Sequence, residues 1–232
     1  MSDKLEGFIK ESADKSLRSQ KHFKIFGLID FFIKDPLPDN IDILNVIKNV
    51  EEKIPFQITS EVDAFYVGRF KEFEERQVNA MYRDGAIFVS NDQDNDADMI
   101  DDLIHELAHA AEDKYAREIN SDNKIQQEFI GKRKRLRDLI YEYGYLDDAS
   151  HVSFTNIEYS KELDDFLYKE LGYDKLETFC AGLFIRPYAV TSIREYFATA
   201  LEHYLLENPS YVNRISPVAF EKVAMVCNVD EV

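Results

Sequence analysis

Ile104-His105-Glu106-Leu107-Ala108-His109-Ala110 decides how this chain is read, and it lies inside a segment, Asp98 to Lys114, with the marks of a helix. At 100° per residue His105 and His109 fall on one face about a turn apart, near enough for two imidazoles to converge on one ion. Glu106 stands beside them. Zinc takes nitrogen or oxygen ligands at roughly 2.0 to 2.2 Å in a tetrahedron, and a reactive site leaves the fourth position to water. Glu106 is placed to take that water's proton. The competing reading is a wet helix face that happens to carry two histidines. Ile100, Leu103, Ile104, Leu107 and Ala111 form an apolar stripe, while Asp98, Asp101, Asp102 and Glu112 share the histidine face. With five histidines in 232 residues a chance H-E-x-x-H is rare, which favours the metal reading.

The third ligand must come from elsewhere. A metzincin would carry Gly at position 112 and His at 115, but these are Glu112 and Tyr115. The best candidate lies in Arg194-Glu195-Tyr196-Phe197-Ala198-Thr199-Ala200-Leu201, which opens a second amphipathic helix. Its stripe contains Ile193, Phe197, Ala200, Leu201 and Tyr204, and Glu195 points the other way, free to enter a cleft. Ser192-Ile193-Arg194-Glu195 also satisfies a capping box, in which Glu195 would only cap its own helix.

Here the chain resembles the zinc peptidases that are like the catalytic domain of anthrax lethal factor, a group that includes the Pro-Pro endopeptidases. The resemblance rests on His105-Glu106-Leu107-Ala108-His109, Glu195-Tyr196-Phe197-Ala198, Tyr188 seven residues before that glutamate, and Tyr204-Leu205-Leu206-Glu207-Asn208-Pro209. It covers roughly residues 85 to 114 and 183 to 225. It implies a zincin-like fold and one Zn2+ held by His105, His109 and Glu195. Glu106 would be the general base and later acid, and Tyr188 the phenol that donates to the oxyanion; as one of 13 tyrosines, Tyr188 can also be read as ordinary packing. The strand Ala86 to Val89 would be the edge to which an extended peptide or protein substrate adds. Two departures stand out. Thr199 occupies the position where the family usually has a second carboxylate, which leaves support of the histidines unassigned. Between His109 and Glu195 lie 85 residues, longer than the family pattern, so Gly131 to Phe179 reads as an insertion. The rival reading is an inactive or structural zincin-like protein that acts as a binding or assembly module with a protein partner.

Composition sets the frame. Hydrophobic residues make up 45% and Gly plus Pro only 14 positions, the profile of a helix-rich globular chain. A formal charge of −17 argues against nucleic acid as a partner. The one basic cluster, Lys132-Arg133-Lys134-Arg135-Leu136-Arg137, reads as a solvated helix face. Cys180 and Cys227 lack ligand spacing and read as small core residues. No basic region followed by an apolar run opens the chain, so the expected compartment is the cytoplasm, with secretion or association with a particle as alternatives. No run is long enough to span a membrane. Asp92 to Asp98 looks like a calcium loop, but Ala97 and Leu103 stand where an EF-hand needs Gly and Glu.

The expected architecture is α+β: a small N-terminal mixed sheet packed on the H-E-x-x-H helix, followed by a helical C-terminal lobe. Residues 1–55 read as N-terminal helices, with Lys4 to Lys34 in helical spacing (Phe8, Ile9, Phe23, Phe26, Ile29, Ile33) and a second helix from Ile41 to Lys53. Residues 56–114 read as a sheet of four strands (Phe56–Thr59, Ala64–Val67, Ala80–Tyr82 and Ala86–Val89) and the motif helix, with Asp84-Gly85 as a hairpin turn. Residues 115–182 read as the helical insertion and 183–232 as the lobe carrying Glu195, the whole forming one domain.

Overall fold

The computed structural model describes residues 21–76, 78–146 and 152–228. The protein is α+β, and its five-stranded mixed sheet has the order β1-β2-β3-β5-β4. The strands are β1 (His22–Ile25), β2 (Ile29–Ile33), β3 (Ala64–Gly68), β4 (Ala80–Arg83) and β5 (Ala86–Ser90). β2, β3 and β5 run parallel, and β1 and β4 are antiparallel to their neighbours at the two edges.

Within the stretch expected to be helical, Lys4 to Lys34, residues 22–33 form a hairpin. Alternate residues of β1 and β2 are buried, a period of two rather than 3.6. The turn Ile25-Phe26-Gly27-Leu28 places Phe26 at φ 54° and Gly27 at φ 66°, with Leu28 N–H donating to Ile25 C=O at 3.2 Å. Two positive φ values define a type I′ turn, whose twist suits two-residue hairpins. Residues 1–55 therefore contribute two strands and one helix among the described residues. Phe8, Ile9 and the rest of 4–20 lie outside them. The first of the four expected strands, Phe56–Thr59, is instead a 3-10 turn that follows Pro55.

The helices are α1 (Ile43–Lys53), α2 (Lys71–Arg76), α3 (Asp96–Lys114), α4 (Ala116–Asn120), α5 (Lys124–Glu142), α6 (Lys161–Asp165), α7 (Tyr173–Cys180), α8 (Ile193–Leu206), α9 (Pro209–Ile215) and α10 (Pro217–Cys227). A π-helical stretch, Phe166–Gly172, joins α6 to α7, and a 3-10 turn, Pro187–Val190, precedes α8. α3 is the hub and packs against α1, β4, β5 and α8. Asn95 caps it, its side chain accepting from the N–H groups of Ala97 and Asp98, and Asp96 and Asp98 complement the positive end of the helix dipole. The acidic loop thus has a structural job, and Asp96 also accepts from Asp42 N–H and Asn45 Nδ2, both at 2.8 Å, tying α1 to α3.

The segment 115–182 shares the core rather than forming its own. Ile125, Phe129, Leu136, Ile140 and Leu176 belong to the same buried cluster as Leu103, Leu107 and Phe197. Its basic run is also partly internal, contrary to the expected solvated face. Lys132 donates to the carbonyls of Leu183 (2.9 Å) and Ile215 (2.6 Å) and to Ser216 Oγ (2.8 Å). Arg133 is fully buried, donates to the carbonyl of Asn156 and lies over the Phe129 ring. Cys180 and Cys227 are buried free thiols. Among the described residues no helix is long and apolar enough to cross a membrane.

Candidate metal centre

α8 is started by Ser192, whose Oγ accepts from the N–H of Glu195 at 3.1 Å, a cap worth about 1 kcal/mol. That contact separates the two readings of Glu195. Its backbone serves the cap, but its carboxylate does not fold back; it crosses to α3. Oε2 lies 2.9 Å from His105 Nε2 and Oε1 3.5 Å from His109 Nε2. The two imidazoles stand nearly perpendicular, with centroids 4.9 Å apart, as the i,i+4 spacing on one helix face requires.

These three side chains form a group that could hold a metal ion: one ligand atom from each lies within 4.8 Å of the others. Ligands at about 2.1 Å in a tetrahedron sit about 3.4 Å apart, and the separations of 2.9 and 3.5 Å bracket that figure. The surroundings of His105 also fit. His105 Nδ1 is 3.1 Å from Glu202 Oε2, leaving Nε2 to face the centre. His109 Nδ1 accepts from Arg194 Nε at 3.3 Å, and Glu112 Oε2, a buried oxygen with no hydrogen-bond partner, lies 4.0 Å from the same nitrogen.

Opposite charges hold the three side chains together. Burial alone would lower the His105 pKa, but hydrogen bonds to Glu195 and Glu202 outweigh it and carry it up to about 10. His109 is also raised, its burial overcome by Glu112 and Glu195. Burial would raise Glu195, yet hydrogen bonds from the two histidines bring it down to about 2. Glu195 is therefore a carboxylate at neutral pH, and a cation would bind here as the two imidazoles give up their protons.

Glu106 lies beside the group, 7% exposed, and its Oε2 accepts from the N–H of Tyr82 at 2.5 Å. This sets the carboxyl between α3 and β4 in a cleft of about 780 Å³ that His105, His109, Tyr188 and Glu195 also line. Tyr188 stands on the 3-10 turn before α8, 45% exposed, its ring centroid 6.3 Å from that of His105. Partial burial, then the negative charge of Glu195, raises its pKa, so the phenol stays a donor at neutral pH. The structure thus brings together all five residues singled out from the sequence.

Two expectations need correction. β5 is not an edge: it is paired by β3 on one side and β4 on the other, and β4 is the strand that borders the cleft. Thr199 offers His105 no carboxylate, but Glu202, seven residues beyond Glu195, places Oε2 3.1 Å from His105 Nδ1. On a helical wheel 700° is 20° short of two full turns, and that coincidence was the available signal. Of the remaining histidines, His203 is partly buried with its ring 6.4 Å from Tyr211, and His151 lies outside the described residues.

Asp102, one turn before Glu106, is a further sensitive group in the cleft. Burial raises its pKa to about 6, against a hydrogen bond from Gln93 Nε2 at 2.9 Å. A carboxyl raised on folding costs stability when ionised, so the cost is full above pH 6 and disappears as the pH falls towards 4. With a chelator present, the Asp102→Asn variant is therefore expected to unfold at higher denaturant than the parent at pH 7.5, by on the order of 2 kcal/mol. Denaturation at pH 4 should show the two alike; a gap that persists there would mean the effect is not ionisation.

No family model matches the chain, and no curated protein or solved structure matches it either.

Proposed function

We propose that the protein is a zinc-dependent endopeptidase of the gluzincin kind, with a zincin-like catalytic fold resembling that of the lethal-factor-like peptidases. The observation that carries the reading is the meeting of His105, His109 and Glu195, from two helices, beside Glu106 on the floor of a cleft walled by an edge strand. A zinc ion held by these three would polarise a peptide carbonyl and make water acidic enough to deprotonate near neutral pH.

The rest falls to the chain's own groups. Glu106 accepts the proton of the attacking water and returns it to the leaving amine. Tyr188 donates from its hydroxyl to the carbonyl oxygen as negative charge builds there. β4 receives the peptide. The Asn79 carbonyl bonds inward to Ser90 N–H at 2.7 Å, so by antiparallel alternation Ala80 and Tyr82 turn their backbone groups outward. Glu106 takes the Tyr82 N–H, and the outward groups of Ala80, which meet no partner among the described residues, are left for main-chain pairing with substrate.

Incubation with a mixed peptide library, followed by mass spectrometry, tests the proposal: cleavage should stop on stringent chelation and return with zinc. Cleavage indifferent to chelation would remove it. The Tyr188→Phe variant is expected to lose about 10²-fold in kcat with KM little changed, because the donor acts on charge that develops only on the way to product. A loss confined to KM would reassign Tyr188 to substrate binding.

A further inference from the structure

His105 offers a nitrogen to each of two carboxylates on α8. Nε2 meets Glu195 and Nδ1 meets Glu202, which lies about 10 Å further along the same helix face. Thr199, between them, is 1% exposed and lines the cleft wall. Glu202 is 3% exposed, and a carboxylate so deeply placed needs counter-charge. It has one from outside α8: Arg186 Nη1 lies 2.6 Å from Glu202 Oε1, a close ion pair without hydrogen-bond angles. The same guanidinium reaches towards Asp101 on α3, Nη2 to Oδ2 at 3.9 Å. Arg186 is also the residue immediately before the Pro187–Val190 turn, which carries Tyr188.

The geometry points to Arg186 and Glu202 as one positioning pair, which orients His105 for the cation and fastens the Tyr188 turn to the metal-binding helix. The inference rests on the metal-centre reading. Glu202 acts by accepting the Nδ1 proton, which fixes the tautomer and makes Nε2 a better ligand. Arg186 acts by holding the Glu202 carboxylate in place and, through its own backbone, the turn that follows. Neither group needs to touch substrate. One charge link therefore does for this chain what a carboxylate four residues after Glu195 would otherwise do, and it couples the turn to the ligand.

Zinc affinity by competition with a chromogenic chelator, together with the visible spectrum of the cobalt-loaded chain, tests this without using activity. Glu202→Gln, which keeps shape and volume, should weaken zinc binding about 10- to 100-fold and shift the cobalt bands, with an unchanged circular-dichroism spectrum. Arg186→Met should weaken binding in the same direction, Arg186→Lys should recover part of it, and the double variant should be no weaker than Glu202→Gln alone. Hydrogen exchange at Tyr188–Val190 should accelerate in Arg186→Met. Wild-type affinity in both single variants, or losses that simply add, would overturn the pair while leaving the metal centre standing. A parent chain that takes up no ion would overturn both.

Discussion

Glu106→Gln is expected to retain one zinc per chain and to lose about 10³-fold or more in kcat. The substitution keeps the side chain's size, and its amide oxygen can still accept from the Tyr82 N–H that Glu106 engages at 2.5 Å. It removes only the capacity to take a proton. Because Glu106 stands beside the ligand group and not within it, metal content should be untouched. Peptide turnover set against metal content by atomic emission separates the two roles. Full turnover in the variant would mean that the base is another group, and loss of zinc would mean that Glu106 is a ligand.

Glu195→Ala is expected to abolish stoichiometric zinc binding, and activity with it. Two histidines alone leave an open, weak site, and the variant also strips both imidazoles of the carboxylate that now lies 2.9 and 3.5 Å from them. A thermal melt reads this without substrate. Zinc at a hundred times its dissociation constant stabilises by about 2.7 kcal/mol, which for a chain of this size raises Tm by roughly 5 to 10 °C. The parent should show that rise and Glu195→Ala none. An equal rise in both would place the ion elsewhere.

The ease with which parts of the molecule were read follows from how local their causes are. α3 was legible because its apolar stripe, its first-turn acids and the two histidines all obey one 3.6-residue period. The β4–β5 hairpin was legible because Asp84-Gly85 supplies the two positive φ values that a type I′ turn needs, 50° and 79°. The N-terminal hairpin was not. Ile29-Asp30-Phe31-Phe32-Ile33 buries alternate residues, but Phe32 on the other face is apolar as well, so the sequence hides the period of two. Its turn uses Phe26 in the left-handed region, which is rare for a bulky residue.

The order of strands is a long-range property, which is why β5 could be taken for the edge that β4 in fact forms. The three side chains of the candidate metal group could be picked out because each sits in a helical pattern of its own. Glu202 escaped notice because the expected place for a supporting carboxylate was one turn after Glu195, and a residue two turns on shares nearly the same face. Nor does a basic run reveal which of its members turn inward. Lys132 and Arg133 do so because carbonyl oxygens and aromatic rings from distant segments meet them.

Diffraction data collected across the zinc absorption edge from crystals grown with zinc would test the centre most directly. A single anomalous peak within bonding distance of His105 Nε2, His109 Nε2 and the Glu195 carboxylate is the expected result. No peak there, or one bound by other side chains, would contradict the account.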